Sequence, residues 1–592
     1  MKSFNVHGKH STLIGLCLLV VLGLAVYANS LKGEFLLDDV NLIKDNPDIR
    51  SFAHIGKIFS RSVIGPSGEM YGYYRPLRTF LFMLEYSLWG LDVRGYHLVN
   101  ILLHIAVALV LFWFITLLFN DRLLSFLASL FFLLHPVQVE VVSFISDCDN
   151  SLSLLFALLS FIFYIRAVHG KRLADQALML FSFLLGLLAK ENILILPLAV
   201  LVYHWAFGQR IKPRLFLSLV SLAAAYIVLR LTLLRSALVY VPSLSQMFEA
   251  VPGFFVAVGK YLQILIFPFG LHVQAQEPLF RFTDPRAIAG AVIVLLYLFW
   301  GFKVKRSNRL VFFSIFWFFI WLIPHSNIYP IGPYLSERWL YVPSVGFFVI
   351  LARGLSFSLK DKRFQVLGAI LVVGLSGFYS YLTVSQNRYW REAVTFYKRA
   401  VEFSPENYIV YEQLGLAYEK EGRYQEALIA YQEGIDLKPD HASFYNNLGN
   451  LYCAMDHTQD AIDAYNRALE KDPGFAQAYY NLGNMYYRSA DVDEAIIAYR
   501  KALELDPGYA KAYNNLGFVY YGLGRTEEAL ENYKKAIEAD PYLGEAHNNL
   551  AVLYFYQEEI ALSLKHCREA LRLGYPVNPE FLKMIEPYKP GR

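Results

Sequence analysis

The chain has 592 residues, room for about four domains of ~150 residues, with 56% hydrophobic and 18% charged residues. Its mean hydropathy is +0.35, which excludes a disordered chain, a collagen-like chain and a disulfide scaffold. The net charge of +4 conceals an asymmetry: residues 1–385 carry 32 basic and 19 acidic side chains, and residues 386–592 carry 22 and 31. An apolar basic part joined to a polar acidic part reads as a membrane domain followed by a soluble one, and the acidic part argues against a nucleic-acid binder. The four cysteines, Cys17, Cys148, Cys453 and Cys567, are too scattered for a disulfide framework or a CxxC zinc site.

Residues 12–31 form the first apolar run, after a short basic stretch from Lys2 to His10. About 20 such residues cross a bilayer as a helix. A cleavable leader is the other reading of this run alone, but eleven more apolar runs follow: 96–119, 122–137, 150–167, 176–190, 191–207, 214–235, 251–269, 286–302, 310–325, 338–355 and 364–385. Such a series predicts about eleven spans. Basic clusters at Arg166–Arg172, Arg210–Arg214, Lys303–Arg309 and Arg353–Arg363 belong in the cytoplasm with the N-terminus. Loop 32–95 and everything after Ser385 then lie outside. The parity fails at 251–269, which is expected to be re-entrant or a pair of half-helices, with Lys260 near membrane depth. An ionisable group there is a functional candidate, although a lysine on an ordinary span can also reach the surface.

The remainder is a repeat. Prolines fall at Pro405, Pro439, Pro473, Pro507 and Pro541, a step of 34 residues. Leu414-Gly415, Leu448-Gly449, Leu482-Gly483 and Leu516-Gly517 keep the step, as do Ala427, Ala461, Ala495 and Ala529 with Tyr431, Tyr465, Tyr499 and Tyr533. This matches the tetratricopeptide (TPR) pattern, in which small residues let two antiparallel helices approach and proline ends the second. The expected organisation is all-α: a membrane domain over 1–385, a fused half-repeat over 386–407, five repeats over 408–577 and a tail over 578–592. Asn447, Asn481, Asn515 and Asn549 recur at the same step, with Gln413 in the first repeat. An amide there could pair with a peptide backbone without reading its sequence. The array resembles the asparagine ladder that holds polypeptides in O-GlcNAc transferase, although Asn is also a common residue of the repeat. These five residues are the candidate peptide-binding set.

The first outside loop opens with Glu34 and the adjacent carboxylates Asp38 and Asp39. Acid pairs in loops are usually just solvated. At the edge of a membrane, however, a carboxylate is suited to deprotonating a hydroxyl that attacks a lipid-linked donor. The leaving lipid phosphate needs cations, and Arg75, Lys260 and Arg338 are the outside-facing candidates. His97, His135 and Glu337 are candidate cavity-lining groups, although a histidine on an apolar helix is more often a packing residue.

Taken in order, the motifs carry a resemblance. Asp38-Asp39, Tyr74-Arg75-Pro76-Leu77, Gly95 to Asn100 with His104, His135-Pro136 with Glu140, Ala189-Lys190-Glu191, Tyr261 to Pro268, and Ser336 to Ser344 precede the TPR array. The whole chain resembles the transmembrane and TPR-containing protein O-mannosyltransferase family, of the GT-C class of glycosyltransferases. The resemblance implies a polyprenyl-phosphate sugar donor, transfer to Ser or Thr of a polypeptide, and inversion at the anomeric carbon. It further implies Asp38 as base, with Asp39 orienting the acceptor or sharing the proton. No cofactor is implied beyond the donor. Some GT-C relatives hold a metal between paired acids, but two adjacent acids alone do not make a metal site, so a divalent metal is left open. The implied partners are the lipid-linked donor, a polypeptide and the bilayer. The implied setting is a bacterial inner membrane or an endoplasmic reticulum, with the repeats periplasmic or lumenal. One departure stands out. Where the family shows Gly-Arg-x-Asp, this chain has Ser146-Asp147-Cys148-Asp149-Asn150, without the arginine. Donor contacts are therefore expected to differ. The competing readings are a membrane-anchored TPR scaffold without activity, and a transporter, which should show paired interrupted spans in two halves.

Overall fold

The computed structural model describes residues 6–60, 74–170, 172–232, 243–272, 280–326 and 335–588. Residues 61–73 of the first loop, and Lys2 of the basic N-terminal stretch, lie outside the described residues. Every regular element among the described residues is a helix. The chain forms two compact units, Met1–Ser404 and Pro405–Arg592, each taken here by itself.

The first unit holds seven helices long and apolar enough to cross a membrane, or eight when a bent pair counts as one span. Three shorter apolar helices, Leu173–Ala189, Glu191–Phe207 and Arg309–His325, accompany them. This is a multi-pass membrane protein. Helices Pro213–Thr232, Pro285–Val304 and Gln365–Tyr389 bury only 22%, 22% and 17% of their apolar windows. They present Leu295, Phe299 and Val373 outward, each at least 66% exposed. Such faces are stable only against hydrocarbon. The first helix, Val6–Tyr27, is tied into the unit: Asn387 Nδ2 donates to the Val26 carbonyl at 3.1 Å and to Asn29 Oδ1 at 2.9 Å, and Asn29 Nδ2 donates to the Val384 carbonyl.

Two expectations about the spans need correcting. Leu244–Ile266 is one continuous helix that carries Pro252 inside it, not a pair of half-helices. The break falls instead between Arg122–Leu134 and Pro136–Ser143, which meet at 57°. Pro136 offers no N–H and forces His135 out of helical geometry (ψ 131°), while His135 Nδ1 accepts the Val137 amide at 3.2 Å and so caps the next turn. The run expected at 338–355 also starts later, because Glu337–Leu340 is a 3₁₀ turn and the helix proper is Ser344–Lys360.

Close crossings are made by glycine. A Cβ at Gly290 would lie 2.0 Å from the Phe255 carbonyl oxygen, and one at Gly346 would lie 2.2 Å from that of Ser314.

The second unit is five helix pairs, from Tyr408–Lys420 with Tyr424–Leu437 to Gly544–Tyr556 with Ile560–Arg572. Pro439, Pro473, Pro507 and Pro541 follow two residues after the second helices end. Tyr431, Tyr465, Tyr499 and Tyr533 are buried against Gly415, Gly449, Gly483 and Gly517. Any side chain at these glycines would strike the ring.

Candidate active site

The loop after the first helix is laid tightly on the unit. A Cβ at Gly33 would lie 2.6 Å from His97 Nε2, and the Glu34 amide donates to the Arg391 carbonyl at 3.1 Å. Leu37 takes a left-handed conformation (φ 51°), an uncommon state for a residue with a side chain. That bend separates the two acids. Asp38 is exposed, whereas Asp39 is 1% exposed. Both oxygens of Asp39 are engaged by backbone: Oδ2 accepts the Leu36 amide at 3.2 Å and Oδ1 the Ser146 amide at 2.7 Å. Burial lifts the Asp39 carboxyl to about 7. Asp39 thus fastens the loop to the turn Ile145–Asp147, and Asp38 alone presents a carboxylate to solvent.

Behind this turn stands a buried frame of charges. Asp149, at the start of helix Cys148–His169, receives Arg75 Nη1 at 2.6 Å, Arg78 Nη1 at 3.3 Å and Lys190 Nζ at 3.2 Å. Arg75 also binds Glu191 at 2.8 Å, and Arg230 approaches the same carboxylate at 4.0 Å. Arg338 pairs with Asp147 at 3.2 Å, and its backbone N–H donates to Glu140 at 2.9 Å. Asp147, with the fields of Glu140, Asp149 and Asp38 behind it, raises the Arg338 pKa and keeps it protonated. No arginine stands between Ser146 and Asn150; the cations paired with Asp147 and Asp149 come from elsewhere in the chain, as Arg75, Arg78, Lys190 and Arg338.

Lys260 is set apart from this frame. It lines a crevice with Tyr261, Gly270, His272, Ser336 and Glu337. Glu337 accepts the His272 amide at 2.7 Å, and burial raises its carboxyl well above the usual range. His272 stacks on Phe403 with centroids 4.1 Å apart, and Arg399 Nε donates to the Leu271 carbonyl. Helix Ala393–Phe403 therefore packs on the same face of the unit as the Glu337 crevice. His97 and His135 are fully buried packing groups. His104 is buried as well, between the Tyr341 hydroxyl at 2.8 Å and the Leu133 carbonyl at 3.2 Å.

Of the candidates read from sequence, Arg75 and Arg338 fall in the frame, and Asp38 lies within the field of Arg338. Arg78, Lys190, Glu191 and Arg230 were not among the site residues. The Lys190-Glu191 doublet, and an arginine inside the apolar helix Pro213–Thr232, were the available signals. Among the described residues no group of three or more His, Cys, Asp or Glu is placed to hold a metal ion.

In the repeats, the ladder amides are engaged by other side chains of the protein. Asn447 Nδ2 donates to Glu412 at 3.0 Å, Asn481 to Asn446 and Asn450 at 2.9 and 3.1 Å, Asn515 to Asn484 at 2.9 Å, and Asn549 to Asn514 at 3.0 Å. Each bond runs to the preceding repeat. Gln413 occupies the equivalent position in the first repeat and is half-buried.

Comparison with known proteins bears on both units. Profiles described as Tetratricopeptide repeat match residues 406–473, 474–541 and 514–575. A protein O-mannosyl-transferase of Caenorhabditis elegans is 26% identical over 69% of this chain and 60% of its own length. Human protein O-mannosyl-transferase TMTC3 is 27% identical over 71% of this chain and 50% of its own length. Human TMTC4 is 27% identical over 66% and 62%. The homologues of this chain are thus TMTC-family protein O-mannosyl-transferases, of whose length it spans about half to three-fifths. Among solved structures, one of MamA matches 27% of this chain and 94% of its own at 27% identity, with a TM-score of 0.25.

Proposed function

We propose that the first unit is a GT-C-type glycosyltransferase that takes a sugar, mannose by the relatives' names, from a polyprenyl phosphate. It passes the sugar to a Ser or Thr hydroxyl of a polypeptide held by the repeats. The observation that carries this reading is one exposed carboxylate, Asp38, whose charge acts on Arg338 in a frame that also holds Arg75, Arg78 and Lys190.

Asp38 accepts the proton of the acceptor hydroxyl as its oxygen attacks the anomeric carbon. The bond to the donor phosphate breaks, its electron pair leaves with the phosphate, and configuration inverts. Arg75 and Arg338, 13% and 33% exposed, stabilise the charge on the departing phosphate. Asp39 positions the loop. Lys260 serves the neighbouring crevice, where it offsets Glu337. A second reading, an inert anchored scaffold, leaves this frame without a use.

The face bearing Asp38 is placed outside or in the lumen, and the last helix of the unit, Ala393–Phe403, lies on that face. The repeats are tethered to the first unit through the chain itself, which raises the local concentration of a polypeptide they hold. The ladder amides donate between repeats, and the oxygens of Asn447, Asn515 and Asn549 accept the Asn446, Asn514 and Asn548 side chains at 3.5, 3.3 and 3.4 Å, so a peptide backbone would use the capacity each amide has left. Transfer by full-length protein from polyprenyl-phosphate mannose to a polypeptide acceptor, compared with Asp38→Asn, tests the reading. Undiminished transfer by the variant refutes it.

A further inference from the structure

Among the polar groups left without partners in and beside the charged frame, two lie three residues apart. Asp147 is 5% exposed; its Oδ1 meets Arg338, and its Oδ2 has no partner. Asn150 is 1% exposed; its Oδ1 accepts Lys190 Nζ at 2.7 Å, and its Nδ2 has no partner. Asp147 stands immediately before helix Cys148–His169, without a side-chain capping bond, and Asn150 is the third residue of the helix, so the pair lies together at its first turn. A buried polar group left unmatched is costly. Ser146 Oγ beside the pair and Arg78 Nε in the frame are also without partners, whereas Asp149 has three cationic partners and Asn192 accepts the Ser153 hydroxyl at 2.7 Å.

The geometry points to Asp147 and Asn150 as the pair that reads two neighbouring hydroxyls of the donor sugar. The inference rests on the transferase reading above. One open acceptor beside one open donor complements groups that both give and take a hydrogen bond. The charges of Asp147, Arg338 and Lys190 already offset one another, so the two open atoms call for neutral hydroxyls, as on a polyol, rather than for a further charge. The sugar is also one bond from the phosphate assigned to Arg75 and Arg338, and Asp147 and Asn150 contact Arg338 and Lys190 directly.

The test uses full-length protein in lipid nanodiscs and two ligands, polyprenyl-phosphate mannose and sugar-free polyprenyl phosphate. Asp147→Asn keeps an acceptor for Arg338 and turns the open oxygen into a donor. Asn150→Asp keeps the contact to Lys190 and removes the open donor. Each variant is expected to bind the mannosyl lipid about tenfold more weakly and the sugar-free lipid as wild type does. Equal weakening toward both lipids, or no change toward either, overturns the inference and leaves the orphan groups to water. If wild type itself binds the two lipids alike, the transferase reading falls and takes this inference with it. If wild type discriminates and both variants still do, this inference alone falls. Should a variant fail to fold, wild type is tested with deoxy-mannosyl lipids that lack one hydroxyl at a time. A loss of about tenfold confined to two adjacent positions is expected, and uniform tolerance overturns the assignment.

Discussion

Arg75 and Asp149, 74 residues apart, meet at 2.6 Å with the Asp149 side chain wholly buried. The pair joins the start of helix Pro76–Trp89 to the start of helix Cys148–His169, and Arg75 reaches Glu191 with its second nitrogen. Only the planar fork of arginine spans two carboxylates in this way. Arg75→Lys is expected to retain the fold and lower donor affinity about tenfold or more. Arg75→Ala removes one partner of a buried pair and is expected to cost about 3–5 kcal/mol of stability. Detergent-phase melting and donor titration measure the two effects separately.

Asp38→Asn removes the exposed carboxylate without touching a buried contact. Transfer should fall by about 10²–10⁴-fold, the range for loss of a general base, while melting and polypeptide binding stay at wild-type levels. Mass spectrometry of an acceptor peptide reads the first, and retained activity contradicts the assignment.

Asp39 makes stability depend on pH with an unusual sign. Its folded carboxyl is raised to about 7, above the unfolded value of about 4. The folded state therefore holds the proton more tightly, and the stabilisation is full below pH ~4. It should be lost as pH rises toward 7 and level off above, by at most about 4 kcal/mol. The wild-type melting temperature measured against Asp39→Asn across this interval should show the fall. A parallel pair of curves would contradict it.

Asn481 donates to both Asn446 and Asn450, so its loss opens the seam between two repeats. Asn481→Ala should cost about 1–3 kcal/mol and raise amide exchange in residues 442–505. If the ladder also holds polypeptide, Asn447, Asn481 and Asn515 replaced together by Ala should weaken acceptor binding beyond what the loss of order explains. Asn484→Ala, which breaks a seam without changing a ladder position, supplies the control.

Gly290 leaves no room for a side chain beneath the Phe255 carbonyl. Gly290→Ala should force helices Leu244–Ile266 and Pro285–Val304 apart and cost about 1–3 kcal/mol or more, seen as a lower melting temperature. An unchanged melting curve would show that the crossing yields at no cost.

The repeats could be read from sequence almost residue by residue, because their 34-residue step is a direct image of stacked helix pairs. The Asp38-Asp39 doublet was visible too, but its division into one exposed and one buried acid was not. That division depends on the left-handed turn at Leu37 and on an amide at Ser146, more than 100 residues away. The broken span was misplaced for a similar reason. Pro252 and Pro136 both interrupt apolar runs, yet only Pro136 follows a side chain, His135, able to take the freed amide itself. Lys190, Arg78 and Arg230 escaped because charges from separate helices converge only after packing.

The Glu34 amide bound to the Arg391 carbonyl links the acidic loop to the segment through which the chain leaves the bilayer. Tension drawn along the chain from Ser404 toward the membrane is first shared by the Phe403–His272 stack and the Arg399–Leu271 bond, and what passes them reaches Arg391, where one backbone bond shares it with residues just before Asp38. A polypeptide still being pulled or threaded while attached to the repeats would therefore exert mechanical load on that loop, which gives force a route to the candidate base.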